Sequence, residues 1–222
     1  PRRLPTQAAE GLPRWRWTVV EFDRFIELGI LTEDDHVELI GGELVPMAAK
    51  GNRHERLRLK LTNLLARRVP DDLDLLPEPG WRPNEDTYAE PDLLITEPYD
   101  PPQCVPAAKV RLLIEIADSS LDHDLKVKAG IYAGLGVAEY WVIDARSLTT
   151  HVHRSPEAGR YQSVRKARAS SALAPANLTE LRIRLAELGL AFDRERHRAA
   201  AGGQAGLGVV LQLRCLQVPG SN

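Results

Sequence analysis

Cysteine is scarce in this chain: two in 222 residues, Cys104 and Cys215. Their separation matches no ligand or redox spacing, which excludes a cysteine-built metal or redox centre and leaves two free thiols of a reducing cytoplasm as the expectation. Long apolar runs are missing too. Nothing approaches the roughly 18 residues of a membrane span, and the opening "PRRLPTQAAEGLPRWRW" lacks the apolar centre of a signal peptide. We therefore expect a cytoplasmic protein. An excess of charge of one sign is also absent. With 29 Lys and Arg against 31 Asp and Glu, the formal net charge is −2, so any polyanion must be met by a local basic patch. What is there is an ordinary globular composition, 43% hydrophobic and 27% charged, enough for one substantial domain and an appendage.

Thr18-Val19-Val20-Glu21 has the spacing of a capping box and Gly29 supplies a stop, which predicts a helix over Thr18–Leu28. "HVELIGGELVPM" alternates about Gly41-Gly42 and reads as a hairpin pairing Ile40 with Glu43 and Glu38 with Val45. Leu57, Leu61, Leu64 and Leu65 form one stripe of a helix over Asn52–Val69. Strands are expected at Leu73–Leu76, Trp81–Tyr88, Pro91–Thr96 and through "RLLIEIA". A helix over about Leu121–Leu135, stopped by Gly136, leads to the strand "EYWVID". "LTTHVHR" and "GRYQSVRKA" read as an antiparallel pair, and "LTELRIRLAELGL" as a last amphipathic piece. There is no internal repeat. Residues 193–222 change character to a low-complexity tail.

Two residues contradict their surroundings. Glu115 interrupts Leu112-Leu113-Ile114-Glu115-Ile116-Ala117, which otherwise reads as a strand buried on both faces. Lys128 falls near −20° on a wheel that puts Leu121 at zero, inside the apolar stripe, whereas Lys126 lies about 160° from that stripe. The bland reading pairs Lys128 with Asp124 four residues earlier. Burying both charges unpaired would cost several kcal/mol each, so partners or a metal are required. Asp92, at the mouth of "PDLLIT", offers a second carboxylate. Two carboxylates on neighbouring strands beside a lysine suit a hard cation such as Mg²⁺, which can lower the pKa of a bound water.

Pro91-Asp92 followed by Glu115 on the next core strand resembles the PD-(D/E)XK nuclease superfamily. "ELIGGELV", "PDLLIT" and "LLIEIADSSLDHDLKVKAGIYAGLGVAEYWVID" more narrowly resemble the Uma-type family of restriction-endonuclease-like proteins, over roughly Trp17 to Leu190. In the short Glu-x-Lys motif the lysine would stand at 117, where this chain has Ala117; the resemblance takes it from the following helix, where the wheel puts Lys128. It implies an α/β fold with a central mixed sheet flanked by helices. The domain would span 17–192, after a flexible segment 1–16. The resemblance further implies Mg²⁺ or Mn²⁺ on Asp92, Glu115 and the Ile116 carbonyl, with Lys128 orienting water or neutralising charge on the phosphate.

His54, one turn before Leu57, reads by itself as a packing residue, but a histidine near the start of this helix is a usual feature of the family and could contact phosphate or relay a proton. Glu38 is a third acidic candidate, equally well read as an exposed hairpin residue. Glu43 reads as structural, and Tyr132 and Asp124 as supports of Lys128. The leading expectation is a metal-dependent DNA endonuclease, plausibly a homodimer because one site per chain must cut two strands. The runner-up is a silent nuclease-fold protein that binds DNA or a protein partner; a carboxylate-pair glycosidase leaves the lysine unexplained. "NRHERLRLK", "ARR" and "VRKARA" are the basic runs available for phosphate contact.

Overall fold

Local sequence signals set most element ends. The computed structural model describes residues 14–190; the tail at 193–222, Cys215 and most of the segment 1–16 lie outside the described residues. Helix α1 (Val19–Glu27) starts on the expected capping box, with the Thr18 hydroxyl accepting the Glu21 N–H and Glu21 reaching back to the Thr18 N–H. Strands β1 (Val37–Ile40) and β2 (Glu43–Pro46) pair in the expected register, Glu38 opposite Val45 and Ile40 opposite Glu43. Gly41 and Gly42, at φ 55° and 82°, supply the positive dihedrals this two-residue turn needs. Helix α2 (Asn52–Leu65) buries Leu57, Leu61 and Leu65. It stops short of Val69 because Arg67 and Arg68 already bond three residues back, to Leu64 and Leu65, ahead of Pro70.

Strand β3 (Asp74–Pro77) is followed by a hairpin where one strand was expected: β4 (Trp81–Asn84) and β5 (Thr87–Ala89) pair Trp81 with Ala89. The Asn84 side chain accepts the Asp86 N–H, the local turn chemistry that folds the segment back. Strands β6 (Leu93–Thr96), β7 (Val110–Ala117), β8 (Glu139–Asp144), β9 (Thr150–Glu157) and β10 (Arg160–Ala167) complete the order β10-β9-β8-β7-β6-β3 in a six-stranded sheet. Only β7 and β8 are parallel, so the sheet is mixed. A smaller sheet has the order β2-β1-β5-β4.

The segment between β7 and β8 is not one α-helix. A turn of α3 (Leu121–His123) runs into a π turn (Asp124–Lys128) and then α4 (Ala129–Leu135), which ends at Gly136 with φ 84°. Tyr132 and Ala129 pack with Leu113, Ala117, Tyr140 and Val142 of the sheet in one core cluster. "LTELRIRLAELGL" is also not a regular helix: Leu173 bridges Ile183, and only Leu185–Leu188 forms a 3₁₀ turn. Leu181, Ile183 and Leu185 are buried between exposed Arg182 and Arg184, a two-residue alternation that suits extended chain. Among the described residues no helix is long and apolar enough to cross a membrane.

Candidate active site

Register brings the first two carboxylates together. β6 and β7 are antiparallel with Leu93 opposite Ile114, so Asp92 falls level with Glu115. The Ile116 N–H donates to Asp92 Oδ2 at 2.6 Å, tying the start of β6 to β7. The residues Glu90-Pro91-Asp92 are the link by which the chain leaves the small sheet for the large one. Glu38 of β1 is anchored to the same link, its Oε1 accepting the Glu90 N–H at 2.9 Å. It is 2% exposed, so the exposed hairpin reading of Glu38 does not hold.

Lys128 enters from the last residue of the π turn. Its ammonium donates to Glu115 Oε1 at 2.9 Å and lies 3.4 Å from Glu38 Oε1. The bland pairing with Asp124 is not the one formed: Asp124 Oδ2 accepts the Ser120 hydroxyl at 2.6 Å, and its carbonyl accepts the Tyr140 hydroxyl. Tyr132 donates to Glu115 Oε1 at 2.7 Å. Glu115 and Ala117 share a face of β7 by the two-residue repeat. The small Ala117 side chain packs in one cluster with Ala129 and Tyr132, on the helix that supplies the lysine. Lys126, by contrast, keeps 73% of its side chain exposed and pairs with exposed Asp122. A π turn within a helix commonly marks a functional position.

His54 sits in the first turn of α2 and is 6% exposed. Its Nε2 lies 3.0 Å from the Asp92 carboxylate and its Nδ1 3.1 Å from Glu55 Oε1. An imidazole with a carboxylate at each nitrogen donates from both only when protonated. Burial works against that charge, but Asp92 and Glu55 outweigh it and hold His54 above the ordinary histidine range. Burial likewise disfavours the Lys128 ammonium, yet Glu115 and Glu38 keep it charged well beyond an ordinary lysine. Burial pushes the Glu115 carboxyl up to about 8 against the pull of Lys128, with Asp92, Asp124 and Glu38 adding to the rise.

All five candidate side chains, Glu38, His54, Asp92, Glu115 and Lys128, line one pocket of about 350 Å³ together with Ile116. Sequence reading missed Glu90, whose N–H fixes Glu38, although its place directly before Pro91-Asp92 was a signal. It also missed the pocket's rim, where Asp118 accepts from Arg53 at 2.9 Å and Arg146 at 3.1 Å; nothing in the sequence joins those three. Two carboxylates and a main-chain carbonyl fit Mg²⁺, which takes one or two carboxylates and keeps several waters. Among the described residues no three His, Cys, Asp or Glu side chains form a ready metal cluster, so the side chains offer a two-carboxylate site at most.

The six-stranded mixed sheet, with Asp92, Glu115 and Lys128 gathered at one pocket, makes this an α/β protein. The chain belongs to the Uma2 family, described as "putative restriction endonuclease", which matches residues 20–186. Its fold is similar to that of a crystal structure described as a putative nuclease of the DUF820 family from Anabaena variabilis. The TM-score is 0.57 at 16% identity, over 77% of this chain and 96% of the other. No curated protein matches the chain.

Proposed function

We propose that the protein is a Mg²⁺- or Mn²⁺-dependent endonuclease that hydrolyses phosphodiester bonds in DNA. The observation that carries this reading is the Lys128–Glu115 pair, 2.9 Å apart and largely shielded from water, in the same pocket as the His54–Asp92 pair. Asp92, Glu115 and the Ile116 carbonyl would hold the cation. When bound, it would supply Lewis acidity and lower the pKa of a water. Lys128 would orient the attacking water or offset charge that develops on the phosphate, a role favoured by a shielded, pre-oriented ammonium. Glu38 keeps Lys128 in place as its second carboxylate. His54, held between Asp92 and Glu55, would contact a phosphate oxygen or return a proton to the leaving oxygen by exchanging one of these carboxylates for the substrate. Arg53 and Arg146 at the rim add positive charge where a phosphate backbone would pass. Cutting both strands calls for a twofold dimer, and the free thiol of Cys104 suits the cytoplasm.

A second reading, a silent nuclease fold that binds DNA or a protein, has its own support. Both carboxylates already have internal donors: Ile116 and His54 for Asp92, Lys128 and Tyr132 for Glu115. Calorimetric titration with Mg²⁺ and Mn²⁺ separates the two. Wild type should bind metal and cleave DNA, while Asp92→Asn and Glu115→Gln should stay folded and lose both. Metal binding in either variant equal to wild type would sink the coordination, and DNA binding without cleavage in any metal would leave the silent reading standing.

A further inference from the structure

Beside the catalytic pocket lies a larger cavity of about 830 Å³, and the two share a wall made of Met47, Ala48, Ala49, Lys50 and Glu90. Its size falls within the range of small-ligand sites. We infer that this cavity receives one nucleobase swung out of the DNA strand next to the phosphate under attack, and that it reads an amino-bearing base edge. The inference rests on the nuclease reading above.

The walls supply what a displaced base needs. Phe22, Leu31, Val37 and Met47 form an apolar lining. Tyr88 adds an aromatic surface that cannot swing. The Phe22 ring lies 4.9 Å from it, the Arg82 guanidinium stands 4.8 Å from its centroid, and its hydroxyl donates to Glu90 Oε1 at 2.6 Å. Packing against a held aromatic and apolar wall is the sequence-tolerant part of base capture, and hydrogen bonds to the base edge supply the choice. Glu90 is the acceptor for that choice. Its Oε1 takes the Tyr88 hydroxyl, and among the described residues no hydrogen bond reaches its Oε2, which leaves it open to an exocyclic amino group. The cavity's two other carboxylates are already engaged, Glu78 by Lys50 at 2.8 Å and Arg58 at 2.7 Å, and Glu55 by Arg58 and His54. Lys50 belongs to the shared wall, with its ammonium held by Glu78 on the side of the larger cavity, within the path that a phosphate joining base and scissile bond would take.

Photocrosslinking tests this directly. DNA carrying single 5-iododeoxycytidines across its length is bound to wild-type protein with Ca²⁺ in place of Mg²⁺, irradiated, and the adducts are mapped by mass spectrometry. The inference expects adducts at Tyr88, Phe22 or Met47. Ile26→Trp, which narrows the cavity at its half-exposed rim (Ile26 is 44% exposed), should lower their yield several-fold and slow cleavage of normal DNA. DNA with an abasic nucleotide at the captured position should be cut equally by both proteins. Adducts confined to residues outside the cavity, with cleavage intact, would overturn the base pocket and leave the nuclease reading standing. Adducts in the cavity without cleavage in any metal would do the reverse, and no bound DNA at all would remove both.

Discussion

Lys128 and Lys126 are two residues apart and differ in everything that matters for chemistry. One ammonium is desolvated between Glu115 and Glu38; the other extends into water. Lys128→Met keeps most of the aliphatic stem, and cleavage should fall by roughly 10²- to 10³-fold, the usual loss for one preorganised electrostatic group. Lys126→Met should cut at the wild-type rate; comparable losses in single-turnover assays of both variants would refute the assignment. Glu115 yields a pH signature. Burial holds its folded carboxyl above the ordinary 4.5 against the pull of Lys128, so just above that pH the folded protein keeps a proton there that the unfolded chain has lost. A raised folded pKa means that this group's contribution is fully present below about 4.5 and declines as pH rises towards 8. Chemical denaturation of wild type and Glu115→Gln across that window should therefore show the variant gaining on wild type, by on the order of 1 kcal/mol per pH unit at most. If Glu115 holds the proposed cation, the same proton must leave before the metal binds. Mg²⁺ affinity should rise with pH up to about 8, with protons released into the buffer, and calorimetry in buffers of different ionisation enthalpy reads that release.

At the scale of elements, α2 joins packing to function. Leu57, Leu61 and Leu65 seat it while His54 at its start reaches Asp92. Leu61→Ala should cost about 2–5 kcal/mol of stability by leaving a cavity under the helix, measurable as a shifted denaturation midpoint. Per folded molecule, cleavage should stay within a few-fold of wild type, because the first turn of α2 is fixed separately by the His54–Asp92 and Arg53–Asp118 contacts. A cleavage loss as deep as that of Lys128→Met would show that the helix seat and the site are one unit. The π turn is the other decisive element. The Ala129 N–H reaches back to the Asp124 carbonyl, which also accepts the Tyr140 hydroxyl, so the widened turn is fastened to β8 just where Lys128 leaves it.

Across the whole molecule, the site lies where two sheets meet. Glu38 comes from the small sheet, Glu115 from the large one, Asp92 from the link between them, Lys128 from the π turn and His54 from α2. No single element holds more than one of these five side chains, which makes the pocket sensitive to the relative position of the sheets. If double-strand cleavage follows from a twofold dimer, sedimentation equilibrium should give a dimer mass at assay concentrations. A monomer that still linearises plasmid in one binding event would count against it.

Patterns of short range were legible from the sequence alone. The Thr18 capping box, the Gly41-Gly42 hairpin register, the leucine stripe of α2 and the isolation of Glu115 in an apolar strand all rest on contacts a few residues apart, or on a side chain that contradicts its neighbours. The same local arithmetic separated Lys128 from Lys126. Where local signals competed, it failed. The Trp81–Tyr88 run folds back at Asn84, where one strand was expected. Tertiary structure alone decided that Glu38 is buried, that it serves Lys128 through Oε1, that Asp118 gathers Arg53 and Arg146, and that a second cavity opens beside the first. The reason is range. Glu38 and Lys128 are 90 residues apart in the chain, and no periodicity records a contact that exists only once β1, β7 and the π turn have packed together.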